Sequence, residues 1–508
     1  MSILNYNAIY NKLISFFNKN RYYILYLISS FVFITIFLDT INILIDDPYI
    51  SARYAKNLIN GYGLVYNPGE EPVEGFSNPL FTLIIALNYF LLRIWGLNFI
   101  IDSLYFIKFL SGIFHLLCIA VLIKLSIIFF QDDFLKTAFI SLLFAGNLFL
   151  GLNVAIGLET AQHLLIILLI FLILFKDELK SKKIYKIYFG ILLGLLSISR
   201  PESILFIILM IIFSIYLKNF QVFKISYLFF LIIYLSYLSF RIIYYKDIFP
   251  NTFYAKMQVF SFGYGLRYLL AGIYSYIAPV FIFLINKKYN INSSFAFYSM
   301  ILFIFCQIAV IIFVAGDWIP GFRFIIPIFP LLLYLALSFK EKLSVSPYGI
   351  LIFIVLLSGY TFSQRYHIRT GILYKSGLKQ ISVDENPYIQ TANYLKKTIR
   401  DKEFSKTIAI YEAGIIPFLV NQKFLDISSL NDKHLSRIEA LHFEKVDNDY
   451  IFSKKPDYIV LFGTLKIHNN DFNQVQTALF NDPRLFEEYF VEAKITNHFI
   501  VFKRKNNY

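Results

Sequence analysis

The chain has 508 residues, of which 58% are hydrophobic, and its mean hydropathy is +0.62. Soluble proteins of this length are not so apolar, and runs of membrane-spanning length recur between about residues 22 and 361, so the sequence predicts a polytopic helical membrane protein. The formal charge of +14 does not indicate a nucleic-acid partner, because the basic residues cluster in short loops, as membrane topology requires. Cys118 and Cys306 lie inside apolar runs and are predicted to be packing residues, not a disulfide or a thiol metal site.

The N-terminal segment is predicted to be cytoplasmic and to lead into a retained membrane helix. Residues 1–21 carry Lys12, Lys19 and Arg21, and basic residues flanking a first helix favour the cytoplasmic side. A small-residue cleavage site does not follow the first apolar run, so residues 22–45 are expected to cross outward as a helix and not to be removed as a signal peptide.

The first external loop, residues 46–77, is predicted to contain a short helix. Asp46 or Asp47 can cap the N-terminus of this helix, Pro48 suits its first turn, and Gly61 ends it. Apolar residues four positions apart would share one face, so the helix is expected to lie along the membrane surface. Those residues are Ile50, Tyr54 and Leu58.

Further apolar runs follow near 79–95, 103–130, 137–150, 160–175, 187–199, 202–217, 225–244, 268–286, 296–314, 322–338 and 348–361. The Lys-rich loop 176–186 should be cytoplasmic, and three full crossings between residues 79 and 150 would place it outside. Run 137–150 is too short to span comfortably, so we expect that it does not cross fully, which leaves about 11 transmembrane helices and an external C-terminus.

The C-terminal part, residues 362–508, differs in character from the transmembrane domain formed by residues 1–361. Its charge density is higher, short strand-like runs occur at 407–411 and 458–462, and a helical pattern covers roughly 388–400. The predicted fold is therefore an all-α polytopic membrane domain followed by a small extracytoplasmic α/β domain.

The most informative pair of residues is Asp46-Asp47, at the outer end of the first membrane helix. Two adjacent carboxylates at this depth cost desolvation and repel one another, so a chain keeps them mainly for chemistry or for a cation. Under the predicted topology four later polar clusters reach the same external face. They are Gly157-Leu158-Glu159-Thr160, Ser199-Arg200-Pro201-Glu202, Phe249-Pro250-Asn251-Thr252 with Tyr254 and Lys256, and Gly316-Asp317-Trp318 with Arg323.

The first-loop sequence, from Asp46 through Asn67-Pro68-Gly69 to Val73-Glu74-Gly75, resembles the opening signature of the GT-C glycosyltransferases. It is most similar to the terminal arabinofuranosyltransferases of mycobacterial cell-wall arabinan and their bacterial relatives. The later clusters match later motifs of that family in the same order, and the similarity covers most of the chain. Ala413-Gly414-Ile415-Ile416-Pro417 and Leu425-Asp426 also resemble the external domain of the family.

This resemblance implies a GT-C fold, a sugar donor on a polyprenyl phosphate, an inverting transfer and a first-loop aspartate as general base. We interpret Asp46 as that base, because the charge of Asp47 can raise its pKa, and Asp47 as an orienting or metal-binding partner. A cofactor is not assigned, although Asp47 and Glu159 could hold a divalent cation.

Basic residues near the helix mouths are predicted to hold the donor phosphate by charge-assisted hydrogen bonds. They are Arg323, Lys256, Arg200 and Arg53. The remaining polar residues of the motifs are assigned to the acceptor or to the rest of the site. They are Glu159, Glu74, Asn251, Asp317 and Trp318.

Structural interpretations remain open for several of these residues. Glu159 could simply be the N-terminal residue of a helix, Arg200 could form a structural salt bridge with Glu202, and Asp317 could pair with Arg323 to hold a turn.

The function predicted from the sequence is a glycosyltransferase of the bacterial cytoplasmic membrane that modifies an envelope glycan, lipid or protein on the external side. Its expected donor sugar is a pentofuranose such as arabinofuranose, and its expected partners are the lipid-linked sugar, the acceptor and membrane lipids. One alternative is a lipid A or protein glycosyltransferase with an aminoarabinose or hexose donor. A transporter or flippase of a lipid-linked sugar ranks lower, because transporters carry their ionisable residues near the bilayer midplane. A purely structural subunit would not explain the paired aspartates.

Overall fold

The computed structural model describes residues 2–176, 182–256, 262–281, 294–317, 319, 321–338, 385–399, 403–440, 444–463, 474–496 and 498–505. A helical domain extends to residue 338, and a small domain with a five-stranded sheet begins at residue 385. The predicted apolar run 348–361, the predicted domain boundary at 361/362 and Trp318 lie outside the described residues.

The helical domain consists of α1 (Ser2–Thr40), α2 (Pro48–Ile59), α3 (Pro79–Ile94), α4 (Asn98–Ile101), α5 (Phe106–Phe129), α6 (Phe134–Ala145), α7 (Leu148–Ile156), α8 (Thr160–Leu174), α9 (Lys183–Ser199), α10 (Ser203–Tyr216), α11 (Phe220–Tyr245), α12 (Asn251–Lys256), α13 (Phe262–Phe281), α14 (Phe295–Val314) and α15 (Phe329–Ala336). By length and composition, four of these helices can cross a membrane: α1 from Lys19 to Thr40, α5, α11 and α14. The helices α6 and α7 pass the same test together and meet at a bend of 51°. The predicted count of about 11 crossings is therefore not confirmed.

The helical domain has two ends of different character. At one end, which we call the basic end, Arg21 near the start of the spanning part of α1 forms a 2.6 Å salt bridge with Asp132, just beyond α5. At the opposite end, which we call the aspartate end, α1 runs into Asp46-Asp47. There the buried Lys108 of α5 donates hydrogen bonds of 2.7 and 2.6 Å to the carbonyls of Ile41 and Ile43. The helices α1 and α5 are thus antiparallel.

The broken helix pair α6–α7 runs beside α1 from the basic end to the aspartate end. Its contacts advance in step with α1: Phe134 on Tyr22, Ser141 on Ser29, and Gly151 against Ile36. A bend fits either a broken span or a re-entrant loop, and these contacts extend from residue 22 to residue 36 of α1. The helical pair extends beyond run 137–150, from Phe134 to Ile156, and its two helices together are long and apolar enough to cross, which the expectation for that run did not foresee.

The helix α3 does not run between the two ends. Asn78, which precedes it, accepts a 2.8 Å hydrogen bond from Ser51 of α2, and Arg93 in its last turn donates to the carbonyl of Ile59 at the end of α2. Run 79–95 is therefore attached to α2 at both ends and was wrongly predicted to cross. One predicted crossing before α8 is removed and another is added, so the direction of α8 is unchanged. It still leads towards the basic end.

The short helix in the first loop forms as predicted, but its apolar face packs against protein. It ends at Ile59, and Gly61 follows in the left-handed region with a φ of +84°. Ile50 and Tyr54 are buried in one hydrophobic cluster with residues of the small domain. The face that we expected to meet lipid is instead covered by protein.

The small domain contains α16 (Pro387–Thr398), β1 (Thr407–Ile410), α17 (Ile415–Leu419), β2 (Lys423–Asp426), α18 (Lys433–Ser436), α19 (Asn448–Ser453), β3 (Tyr458–Phe462), α20 (Gln474–Phe480), α21 (Arg484–Glu488), β4 (Tyr489–Ile495) and β5 (Phe499–Arg504). The strand order is β2-β1-β3-β5-β4; β1, β2 and β3 are parallel, and β5 and β4 are antiparallel to their neighbours. The predicted strands and helix of this domain correspond to β1, β3 and α16.

The small domain rests on the aspartate end through the carboxyl ends of its parallel strands. The loop after β1 donates backbone hydrogen bonds to Asp46, and the loop after β2 accepts hydrogen bonds from Asn251 through the carbonyls of Ser429 and Leu430. The edge of the sheet where the parallel strands end therefore faces the paired aspartates.

Candidate active site

The two adjacent aspartates have different surroundings. They lie at the junction between α1 and α2, where the backbone N–H of Tyr49 donates to the carbonyl of Asp46 and that of Ile50 donates to the carbonyl of Asp47. Both are half-buried. Asp47 occupies the N-cap position of α2, but its side chain does not cap that helix.

The carboxylate of Asp46 is bound to the small domain. Its two oxygens accept hydrogen bonds of 2.7 Å each from the backbone N–H groups of Gly414 and Ile415, at the start of α17. Burial raises the pKa of Asp46 to about 7, although these two hydrogen bonds favour the ionised form. A Cβ atom at Gly414 would collide with the carbonyl oxygen of Asp46, so this contact requires glycine.

The carboxylate of Asp47 faces charged groups of the helical domain. Burial raises its pKa, while the positive charges of Lys256 and Arg323 oppose this rise. The side chain of Asp47 accepts no hydrogen bond from another residue in the described part of the chain. Of the two aspartates, Asp47 therefore has the carboxylate that is free to contact a substrate.

A second acidic group comes from the loop before α8. Glu159 is buried and accepts a 2.9 Å hydrogen bond from Asn78, and Nη1 of Arg200 lies 3.6 Å from Oε1 of Glu159. Burial favours neutral Glu159, but Arg200, Arg323 and the hydrogen bond from Asn78 together hold its pKa below the ordinary value. Arg200 also forms a 2.6 Å salt bridge with Glu202, as the structural interpretation expected.

Arg323 forms the basic centre of the helical-domain cluster. It is buried and forms a salt bridge with Asp317, so the structural interpretation of this pair is supported. The negative charges of Asp317, Glu159 and Asp47 outweigh burial and raise the pKa of Arg323. The guanidinium groups of Arg200 and Arg323 lie 4.7 and 5.5 Å from the ring centre of Phe324. Nη1 of Arg323 makes no hydrogen bond to a described residue, so it remains available to a ligand.

Lys256 is the last residue of α12 and is exposed. Its charge acts on Asp47, but its ammonium group forms no ion pair with another described residue. It therefore remains a candidate for binding a phosphate.

The structure places Arg53, Glu74 and Asn251 outside this cluster, in contacts that hold the chain together. Nε and Nη2 of Arg53 donate 2.9 and 2.8 Å hydrogen bonds to the carbonyls of Tyr66 and Gln422, and its Nη1 donates to a further carbonyl of the small domain. We therefore reassign Arg53 from donor binding to domain docking, because all three nitrogens of its guanidinium group already donate.

Glu74 and Asn251 are likewise engaged with protein. Glu74 is buried, pairs with Arg241 at 2.6 Å and accepts a 2.7 Å hydrogen bond from Tyr237. The amide of Asn251 donates to backbone carbonyls of the small domain and accepts a 2.8 Å hydrogen bond from Ser436. Neither side chain joins the charged cluster around Asp47.

The small domain adds acidic groups that we did not predict as site residues. Asp426 is buried at the end of β2 and accepts hydrogen bonds from Ser428 and Asn431, and burial raises its pKa to about 6. Burial is the largest cause that raises the pKa of Glu412 well above its ordinary value, and the negative charge of Asp46 adds to this rise.

Two further residues of the aspartate end were missed, and the sequence offered a weak signal for each. Lys108 is a cation inside an apolar run, which marks a residue with a buried partner. Asn78 stands directly before Pro79 at a helix start, a position where asparagine is preferred as the N-cap residue. Glu412 directly precedes the Ala413-Gly414 motif, but its partners come from the other domain.

The donor groups described here do not fit a resident divalent cation. Among the residues that the structure describes, no group of three or more His, Cys, Asp or Glu side chains is arranged to hold a metal ion. Of the two residues considered for this role, Glu159 is already paired with Arg200 and Asn78, while cations face Asp47.

The arrangement combines an unpaired carboxylate with two cations, Arg323 and Lys256, that have free N–H groups. A carboxylate with a raised pKa can accept a proton from a hydroxyl group, and the cations can hold a phosphate ester. Segments near residues 47, 159, 200, 256 and 323 contribute to this one cluster.

Comparison with known protein families gives a match in the C-terminal part of the chain. Residues 377–502, which include most of the small domain, match a family described as a domain of unknown function, DUF8728. The chain matches no curated protein at a significant level.

The fold resembles those of solved membrane glycosyltransferases. The structure of ArnT from Cupriavidus metallidurans bound to undecaprenyl phosphate matches with a TM-score of 0.59 and 11% identity, over 96% of this chain and 99% of that chain. The archaeal oligosaccharyltransferase AglB from Archaeoglobus fulgidus, in complex with an inhibitory peptide and a dolichol-phosphate, matches with a TM-score of 0.54 and 11% identity, over 97% of this chain and 75% of that chain. Both are GT-C glycosyltransferases, and the chain therefore has the GT-C fold.

Proposed function

We propose that this chain is an integral-membrane glycosyltransferase that uses a polyprenyl-phosphate-linked sugar, with Asp47 as the general base. The observation that carries the proposal is the carboxylate of Asp47, which has no hydrogen-bond donor among the described residues and faces Lys256 and Arg323. Asp46 was our first candidate for the base, but both of its oxygens are occupied by the small domain.

In the proposed reaction a hydroxyl of the acceptor attacks the anomeric carbon of the donor sugar. The new bond joins the acceptor oxygen to this carbon, and the bond from the carbon to the phosphate oxygen breaks. Asp47 takes the proton of the hydroxyl, and polyprenyl phosphate leaves with the bonding electrons. Attack from the face opposite the phosphate inverts the configuration at the anomeric carbon.

Arg323 and Lys256 are the proposed ligands of the donor phosphate. They would stabilise the negative charge that grows on the leaving phosphate, which is the interaction that most lowers the barrier of such a transfer. Arg200 is held between Glu159 and Glu202, so its proposed role is to fix Glu159 and to add positive potential. Asp317 would orient Arg323.

The GT-C fold and the lipid phosphates bound to ArnT and to AglB support a polyprenyl phosphate donor. The first-loop motif makes a pentofuranose such as arabinofuranose our expectation for the sugar, and an envelope glycan, lipid or protein our expectation for the acceptor. A lipid A or protein glycosyltransferase with an aminoarabinose or hexose donor is the alternative. The proposed location is the external face of the bacterial cytoplasmic membrane.

The proposal is tested by comparing Asp47→Asn with Asp46→Asn in the purified full-length protein. Turnover is measured with a panel of polyprenyl-phosphate sugars that includes arabinofuranose, aminoarabinose and hexoses. We expect Asp47→Asn to lower turnover by at least about 100-fold, the usual contribution of a general base, while binding of undecaprenyl phosphate is unchanged.

The control is Asp46→Asn, which removes the same charge one residue away. We expect this variant to keep measurable turnover whenever the small domain remains docked. Normal turnover by Asp47→Asn, together with loss of turnover by a folded Asp46→Asn protein, would return the role of base to Asp46.

A further inference from the structure

The small domain does more than cover the aspartate end, because its carboxyl-end loops carry side chains suited to a ligand. In sheets with parallel strands, ligands are commonly bound at the edge where the strands end. Here β1 ends at Ile410 and is followed by Tyr411 and Glu412, and the neighbouring strand β3 ends at Phe462. This is the edge that rests on the paired aspartates.

Glu412 is the most unusual side chain at this edge. Its Oε2 atom is buried and has no hydrogen-bond partner in the described part of the chain. Buried polar atoms are normally paired, and one that is not paired marks a place where a ligand can supply the missing partner. Burial and the nearby charge of Asp46 raise the pKa of this carboxyl group, which favours its neutral form, and a neutral carboxyl group can both donate and accept a hydrogen bond.

Aromatic rings stand beside this carboxyl group. Tyr388 and Phe462 are half-buried, and their near-parallel rings have centres 6.5 Å apart with an interplanar angle of 18°. Phe462 also lies near-parallel to His498, with ring centres 5.8 Å apart. Burial raises the pKa of Tyr388, and the carboxyl groups of Glu412, Asp46 and Asp47 add to this rise when ionised, so this ring lies beside the acidic site.

We propose that Glu412, Tyr388 and Phe462 form a subsite for a sugar of the acceptor. The C–H faces of a sugar ring are apolar and pack against aromatic rings, while its hydroxyl groups require hydrogen-bond partners such as a carboxyl group. A few polar groups placed among aromatic side chains are typical of a small-molecule site. In this arrangement the donor is held by the helical domain and the acceptor by the small domain.

This inference rests on the proposed function, and it makes Glu412 a positioning residue. Asp46 joins the loop of Glu412 to the first loop, so a sugar bound by Glu412 would present a hydroxyl towards the neighbouring Asp47. The acceptor sugar would bind without the donor, because its proposed contacts come from another domain than Arg323 and Lys256.

The test measures sugar binding to the full-length protein in detergent by saturation-transfer difference NMR. The probes are the methyl glycosides of arabinofuranose, mannose, glucose, galactose and N-acetylglucosamine. We expect at least one glycoside to bind the wild type, and Glu412→Gln and Phe462→Ala to weaken its binding by about tenfold or more. Both variants should bind undecaprenyl phosphate as the wild type does.

Matched controls are Glu487→Gln and Phe486→Ala, which are exposed residues of α21. This helix leads into Tyr489, which pairs with Arg504 at the opposite edge of the sheet, so both controls should bind the glycoside normally. Thermal unfolding of each variant establishes that it is folded.

The inference is overturned if the wild type binds none of the glycosides, or if the folded variants and the controls bind them equally. Binding of an acceptor peptide in place of a sugar would also overturn it. Failure of the wild type to bind undecaprenyl phosphate, with glycoside binding still lost in Glu412→Gln, would instead reject the proposed function and leave the sugar subsite standing.

Discussion

Adjacent residues of the same type serve different purposes at the aspartate end. Asp46 accepts hydrogen bonds from Gly414 and Ile415, which lie 368 and 369 residues further along the chain, whereas Asp47 faces Lys256 and Arg323. The sequence motif placed the pair directly after the first helix, where the structure has it. It could not separate their roles, because the distinction depends on contacts with a domain that is remote in sequence.

The same limit applies to the other candidate residues. Asp47, Glu159, Arg200, Lys256 and Arg323 were grouped from the sequence because each stands beside a helix end on the predicted outer face, and the structure brings them together. Arg53 belongs to the same motif, but it donates to backbone carbonyls of the small domain. A contact with a backbone carbonyl that is remote in sequence cannot be predicted from a pattern of side chains.

The pH dependence of turnover should report the titration of Asp47. A general base must be ionised, and burial raises the pKa of Asp47 above its ordinary value of 3.8, so kcat/KM should fall as the pH is lowered through this raised pKa. Because the charge of Lys256 lowers this pKa, Lys256→Ala should shift the acid limb of the profile to higher pH.

The measurement is kcat/KM between pH 4 and pH 9 for the wild type and for Lys256→Ala, with Lys218→Ala as the control. Lys218 lies beyond the end of α10, at the basic end, and should leave the profile unchanged. An acid limb that does not move in Lys256→Ala would contradict the electrostatic effect of Lys256 on Asp47.

At the scale of elements, the hydrophobic pattern predicted the helices but not the groups that pack on their apolar faces. The pattern Ile50, Tyr54 and Leu58 correctly predicted an apolar face on α2, yet apolar faces pack against lipid and against protein equally well. Run 79–95 was similarly apolar, but its helix α3 is shorter than the helices that can cross, and its contacts with α2 show that it stays at the aspartate end. Apolar composition alone cannot distinguish these cases.

The docking of α2 on the small domain should depend on Arg53. Arg53→Ala removes three donor nitrogens from buried carbonyls, and a hydrogen bond from a charged donor contributes about 1.5–3 kcal/mol, so we expect a clear fall in the thermal unfolding temperature. Binding of undecaprenyl phosphate by the folded protein should persist, because Arg53 does not join the Asp47 cluster.

The control for this prediction is Arg504→Ala at the far edge of the sheet, where a much smaller change is expected. A stable Arg53→Ala protein that has lost affinity for undecaprenyl phosphate would restore the donor-binding role that the sequence suggested.

At the scale of the whole molecule, the charges separate between the two ends of the helical domain. Arg21 lies at the basic end of α1, while Lys183 begins α9 and Lys218 follows α10. The helices α9 and α10 have their other ends at Arg200 and Glu202, in the aspartate-end cluster. Arg21, Lys183 and Lys218 therefore share one end, and the candidate site with the small domain occupies the other.

This separation predicts the orientation of the protein in the membrane. Basic residues are retained on the cytoplasmic side, so the basic end should be cytoplasmic and the small domain external. Single cysteines are introduced at Glu487 of the small domain and at Lys218, both exposed, in a protein whose buried Cys118 and Cys306 are replaced by alanine. Intact cells are then treated with a membrane-impermeant thiol reagent. We expect label at position 487 at once, and at position 218 only after the cells are opened. Label at 218 in intact cells with protection of 487 would place the candidate site in the cytoplasm, and equal labelling of both positions would mean that the two ends are not separated by the bilayer.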